Sequence, residues 1–291
     1  MLAIYKKELR SYFTTMIGFI YAAIFLVIVG IYFLAYNLKG QYARFEYTVS
    51  AIEFLYVVLI PILTMRLIAE ENKQKTDQLL LTSPITITKM VLGKYFAALT
   101  MYLVPVSIMS FYPLIIAKYA SYSFGSYFAA AYSCIFGFIM LAAAYIAIGL
   151  FISAITENQV IALIVTAIFI FISYLMQGIE SMLPTDNQSA WLILSLLVLI
   201  VCFVLYLSIH NLTMTIGIGV VAEAALAIVY VVKPSLYDGL VSKVLDVFSI
   251  SEKFSNFGSG ILDVNAIIYF LSVAVMFILI TIQVIKKRRW N

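Results

Sequence analysis

Charge is scarce in this sequence. Lys, Arg, Asp and Glu make up 11% of its 291 residues and 64% are hydrophobic, whereas a soluble domain carries about 25% charged residues. That balance excludes an ordinary soluble globule and points to a membrane protein with a mean hydropathy of +1.07. Six prolines and thirteen glycines leave little room for a disordered linker, and no low-complexity tract or short-period repeat is present. One membrane domain spanning 1–291 is therefore expected. Cys134 and Cys202 lie in separate apolar runs, where a reduced thiol behaves as a small hydrophobe. The single His210 cannot build a polyhistidine metal site, and there is neither an H-E-x-x-H pair nor a nucleophile placed for a serine–histidine–acid set. No G-x-x-x-x-G-K-[ST] loop is present to cradle phosphates, since Gly93-Lys94 lacks the preceding glycine and opens an apolar run. The chain is accordingly expected not to be an enzyme. Its net charge of +4 is dispersed between apolar runs, without a groove-sized basic cluster for nucleic acid.

What the sequence does contain is long apolar runs. About 20 residues are needed to cross roughly 30 Å of hydrocarbon, and runs of that size fall at 17–38, 49–68, 89–116, 127–153, 158–180, 190–209, 213–232 and 264–285. They are too long and too uniformly apolar for an alternating barrel strand, so an all-α bundle of about eight spans is expected. The first run exceeds the 7–15 residues of a signal h-region and LAYNLKG offers no cleavage site, which favours an uncleaved span. The joints at 152–159 and 208–213 are short, making the helices they connect antiparallel neighbours. Were either pair a re-entrant hairpin, the number of spans would be six.

Basic residues orient the bundle. With the N-terminus inside, Lys6, Lys7, Arg10, Arg66, Lys73, Lys75, Lys89, Lys94 and Lys286 to Arg289 all lie in the cytoplasm, twelve of eighteen. Both termini are therefore expected to be cytoplasmic.

Several features stand out against the apolar background. In LAIYKKELRSYFTT, residues 2–15, Leu2, Tyr5, Leu9 and Tyr12 recur at helical offsets, with Lys6, Lys7 and Arg10 largely on the other face. Such a helix suits the headgroup plane, aromatics at the interface and cations toward acidic lipid; the alternative is a basic flank that only sets topology. Residues 70–82 can form a short polar helix with Glu70 and Glu71 at its start and i,i+4 pairs Glu71–Lys75 and Lys73–Asp77. Leu79, Leu80 and Leu81 give it an apolar tip before Ser83-Pro84 breaks the run. That tip can be buried by a partner or tuck against the chain's own helices. Glu223 is an isolated acid inside an apolar run, a candidate ion or proton site or a buried pairing group. Gly137, Ala142, Ala143, Ala144, Ala147 and Gly149 offer small surfaces for helix packing, while Glu53 and Glu180, nearer span ends, are expected to face headgroup or water. The connection at 233–263 places apolar residues as in one or two short surface helices, or is a plain loop.

Together, YKKELRSYF at 5–13, RLIAEENKQKTDQLLLTSPITITKMVLGKYFAAL at 66–99, TIGIG at 215–219 and the end of the chain from NFGSGILD through YFLSV to KKRRW resemble the ABC-2 family of ABC transporter permeases. The resemblance is nearest to its gliding-motility-type branch and covers essentially the whole chain. It implies a polytopic exporter-type bundle in a bacterial inner membrane, paired with a second permease chain, identical or related. It also implies that residues 2–15 form an interfacial elbow helix and that 70–83 form a coupling helix docked in a separate P-loop ATPase, which carries the ATP and Mg. The segments before the last span then resemble surface or re-entrant helices on the external side. No substrate contact is carried over. Two other functions are compatible with the residues alone: an ion-coupled secondary transporter using Glu223, and a non-transporting assembly or sensory anchor that recruits a cytoplasmic protein through 70–83.

Overall fold

The computed structural model describes residues 1–75, 86–120, 124–182, 191, 195, 217, 219, 220, 223, 224 and 249–290. They fall into two compact units, Met1–Tyr174 with Ser251–Asn291, and Leu175–Ile250. In chain order the helices are α1 (Leu2–Thr14), α2 (Met16–Tyr32), α3 (Glu46–Ile52), α4 (Tyr56–Thr64), α5 (Ala69–Gln74), α6 (Ile87–Met109), α7 (Tyr112–Ala120), α8 (Phe124–Ile155), α9 (Gln159–Met182), α10 (Ser255–Gly258) and α11 (Val264–Trp290). A π-helical stretch, Phe33–Lys39, extends α2, and a 3-10 turn, Glu53–Leu55, joins α3 to α4. There is no strand among the described residues.

Among the described residues six segments are long and apolar enough to cross a membrane: Met16–Lys39, Glu46–Gln74, Ile87–Lys118, Tyr127–Ile155, Gln159–Met176 and Val264–Lys287. They coincide with six of the expected runs, and the fold is an all-α membrane bundle. Apart from single helical positions, the runs at 190–209 and 213–232 and the joint at 208–213 lie outside the described residues.

Lipid offers no hydrophobic drive for helix association, so close packing and hydrogen bonds must supply it. Helix α8 is the centre of both. Ala142, Ala144 and Ala147 are wholly buried, a Cβ at Gly137 would run into Phe257, and one at Gly149 into Thr64. The small-residue face thus serves helix packing, as its composition predicts. Tyr56 Oη donates to the Phe138 carbonyl at 2.7 Å and lies 2.7 Å from Tyr102 Oη, which ties the second, third and fourth spans together at fully buried positions. Asn158 Oδ1 accepts the Val160 N–H at 2.9 Å and starts α9. Beyond that turn Tyr145 Oη meets Ser173 Oγ at 3.3 Å, so the chain doubles back at the short joint.

At the end of the bundle reached by the first span, Asn37 donates to the carbonyls of Tyr42 and Arg44 and accepts from Thr48, folding residues 40–45 into a tight return. The 251–263 stretch closes over it. Arg44 donates to the Ser259 carbonyl at 3.2 Å, and Gly260, at φ +83°, leaves no room for a Cβ beside Ala130. Ser251 Oγ donates to Glu53 Oε1. Glu53 therefore meets another segment of the protein, which the expectation of headgroup or water had not foreseen. Of the 233–263 connection, the described part holds a 3-10 turn, Glu252–Phe254, and α10.

Candidate functional site

The opposite end of the bundle holds the sequence features that pointed to function. Thr15, in an extended conformation at φ −92° and ψ 149°, separates α1 from α2, while the hydroxyls of Thr14 and Thr15 each bond back to the last turn of α1 at 2.8 Å. Freed from the axis of the first span, α1 lies against α6. A Cβ at Gly93 would press on Ile4. Tyr5 Oη lies 3.0 Å from Thr100 Oγ1 and Tyr12 Oη donates to the Leu63 carbonyl at 2.7 Å. Burial, and after it the Glu8 carboxylate, pushes the Tyr12 phenol well above its usual range, because desolvation disfavours the phenolate. The Tyr5 and Tyr12 face that the periodicity assigns to lipid headgroups is thus occupied by the protein's own second and third spans; Leu9 on the same face is half-buried. Lys6, Lys7 and Arg10 are exposed, as expected.

The second span unwinds at Met65–Ile68 and resumes as α5. A helix start has unsatisfied N–H groups. Here Ser153, at the end of α8, supplies the acceptor: its Oγ takes the Ile68 and Ala69 N–H groups at 3.1 and 3.0 Å and donates to the Met65 carbonyl at 3.3 Å. Asn72 Nδ2 adds bonds to the Ala154 and Thr156 carbonyls at 3.4 and 3.1 Å. Arg66 and Glu70 form an i,i+4 pair at 2.9 Å.

Lys94 is the most buried charge of the site, with 1% of its side chain exposed. Its Nζ lies 2.9 Å from Glu8 Oε1, 2.9 Å from Glu71 Oε1 and 2.6 Å from the Leu67 carbonyl. Three oxygens meet an ammonium that has three donors. Lys7 approaches the same Glu71 oxygen at 3.3 Å. One buried cation consequently joins α1, the unwound end of the second span, α5 and the third span.

Of the sequence-predicted residues, Glu70, Glu71 and Lys7 take part in this arrangement, Lys73 is exposed on α5, and Lys75 ends it. The helix expected over 70–82 stops at Gln74, because Lys75 turns left-handed at φ 56°. The expected Glu71–Lys75 pair is replaced by inward ion pairs from Glu71 to Lys94 and Lys7. Asp77, Leu79, Leu80, Leu81, Ser83 and Pro84 lie outside the described residues. Glu8, Lys94, Asn72 and Ser153 were not singled out by sequence reasoning. A lysine several residues inside an apolar run is the one local signal of this site. Glu223 occupies helical backbone in the second unit, and its Oε1 is buried without a hydrogen-bond partner among the described residues. Among the described residues no group of His, Cys, Asp and Glu is arranged to hold a metal ion.

No curated protein matches the chain. A family model does, over residues 7–173 and therefore over more than half of the sequence; its description is "ABC-2 family transporter protein". The matched region contains Glu8, Glu71, Lys94 and Ser153. The match is to the family as a whole and does not single out the gliding-motility-type branch.

Proposed function

The chain belongs to the ABC-2 family of transporter membrane proteins, and on that premise we propose that it is the membrane-spanning permease subunit of an ATP-driven exporter. In this reading separate P-loop ATPase subunits bind ATP and Mg and dock on the segment that begins at Glu70. A second permease chain completes the pore, in a bacterial inner membrane with both termini cytoplasmic. The observation that carries the reading is the ion pair of Glu71 with Lys94. It links α5, whose polar end at Lys73 and Gln74 is exposed and open to a soluble partner, to a residue buried in the third span.

Transfer of work requires that the partner's contacts with this segment differ between two states of the spans. The Glu71 and Lys94 arrangement provides a path along which such a difference reaches the membrane. The test is purification of the full chain in nanodiscs from its native host, with identification and stoichiometry of bound chains. The expected result is one P-loop ATPase per permease, weakened by Glu71→Lys combined with Leu80→Asp. If no such ATPase co-purifies, or if the double variant leaves association and ATP-coupled transport intact, the reading is wrong.

A further inference from the structure

We propose that the cavity between the Glu252–Phe254 turn and the start of α11 is a binding site for a primary ammonium group carried on a small polar molecule. This goes beyond the permease reading and does not depend on it. The cavity has a volume of about 420 Å³, and Glu252, Ser255, Asn256, Asp263, Asn265 and Tyr269 line it. One water takes up about 30 Å³, so the space suits a molecule rather than a bare ion. It falls within the roughly 300–1,000 Å³ of small-molecule pockets.

The two acids of the lining differ in what already holds them. Asp263 is engaged by the protein: its Oδ2 accepts from Asn256 Nδ2 at 2.7 Å and its Oδ1 accepts the Asn265 N–H at 2.8 Å. Lys253, also in the lining, favours its charged form. Glu252 forms no ion pair among the described residues, and its Oε2 is buried without a hydrogen-bond partner among them. A carboxylate spreads one charge over both oxygens, so a cation in the cavity compensates Glu252 through either. Asn256, having given its Nδ2 to Asp263, keeps its carbonyl oxygen as an acceptor, and Tyr269 adds an aromatic wall. Acceptors and a ring suit an ammonium, which has three donors and no acceptor. An anion would meet two carboxylates against one lysine, and a neutral molecule would leave Glu252 uncompensated. Beside Asn265 and Tyr269, Val264 and Ile268, 59% and 61% exposed, begin the apolar surface of the last span. The ammonium therefore has two possible carriers, a soluble molecule or the headgroup of an aminophospholipid.

The probe is ethanolamine, compared with its uncharged N-acetyl form, titrated by calorimetry into the full chain in phosphatidylcholine nanodiscs. A hydrogen bond to a charged group is strong enough that ethanolamine should bind roughly tenfold or more tightly than N-acetylethanolamine. Glu252→Gln should bring the two to the same affinity. Ser255→Trp, from an exposed position, should fill the cavity and weaken both, and it alone decides should Glu252→Gln fail to fold. Glu157→Gln, an exposed acid in the joint between α8 and α9, should change nothing. Equal binding of the two probes to the wild type, or binding of neither, overturns the proposal. So does a preference that survives Glu252→Gln or Ser255→Trp, or one that Glu157→Gln also removes. Phosphatidylethanolamine nanodiscs separate the carriers. A weaker apparent affinity for ethanolamine there supports the proposal with a lipid headgroup as occupant, and an unchanged affinity supports it with a soluble amine.

Discussion

Replacing Lys94 with methionine tests whether the buried cation holds this end of the bundle together. The substitution keeps the length of the stem and removes the ammonium. Two carboxylates, each 13% exposed, then face one site without their shared cation, and the Leu67 carbonyl loses a 2.6 Å donor. Glu71 retains Lys7 at 3.3 Å, but Glu8 has no other ion pair among the described residues. Removing one partner of a buried ion pair costs about 3–5 kcal/mol. Because neither carboxylate is wholly enclosed, the lower end, about 3 kcal/mol, is expected here. The thermal unfolding midpoint in nanodiscs should fall by roughly 5–10 °C, and amide exchange should quicken in both α1 and α5. A Lys94→Met, Glu8→Gln, Glu71→Gln triple variant should regain most of the loss, since neutral side chains remove the uncompensated charge. Lys94→Arg should recover only part of it, because the planar guanidinium needs a wider cage than the ammonium occupies. A single variant within about 1 kcal/mol of wild type, or a triple variant no more stable than the single, would refute the reasoning.

Ser153→Ala leaves the buried Ile68 and Ala69 N–H groups without their acceptor, a loss of about 1–3 kcal/mol. Hydrogen exchange should rise over residues 66–74 and not in α11; unchanged exchange at 66–74 would count against the cap. Gly137→Ala sets a methyl 2.6 Å from Phe257 Cβ and should destabilise by about 1–3 kcal/mol. Gly30→Ala, with nothing within 4 Å, should be neutral or slightly stabilising in the same melt, and similar effects at the two glycines would contradict the packing of α8. Asp263 accepts from Asn256 at 2.7 Å and caps α11 through the Asn265 N–H at 2.8 Å. The Asn256 bond first, then the backbone N–H groups and Lys253, hold its carboxyl below the usual 3.8. A lowered folded pKa means stabilisation present above pH 3.8 and lost as pH falls below it through the folded value. Asp263→Asn should therefore flatten the acid limb of a pH series of melts, and an unaltered limb would show that the cap contributes nothing.

The spans and the packing helix were legible because apolar run length and small-residue spacing are local properties of the chain. The charge site was not. Glu71 and Lys75 are four residues apart and invite a helical pair, but pairing on one helix face requires the helix to continue, and it ends at Gln74. The partners that Glu71 does meet, Lys7 and Lys94, come from separate helices, and no periodicity reports which distant helix will arrive. The amphipathic pattern of α1 misled for a related reason. An apolar stripe predicts a covered face without saying whether lipid or protein covers it; here Tyr5 and Tyr12 find hydroxyl and carbonyl partners on the protein's own spans.

The distribution of these bonds constrains how the permease reading can work. Residues 65–75 are held to α8 by Ser153 and Asn72, to α6 by Lys94 and to α1 by Lys7. A partner that displaces this segment cannot move it as a free loop. Either the attached helix ends move with it, or specific bonds break, and the two routes differ in cost. Shifting the ends together preserves the buried ion pair, whereas separating Glu71 from Lys94 incurs about 3 kcal/mol or more. On the permease reading, the low-cost route would carry α1 along with the third span. In the purified complex, Lys94→Met should accordingly leave ATP hydrolysis in place while reducing the change that nucleotide produces in amide exchange of α1. Full retention of that change would show that α1 moves by another connection.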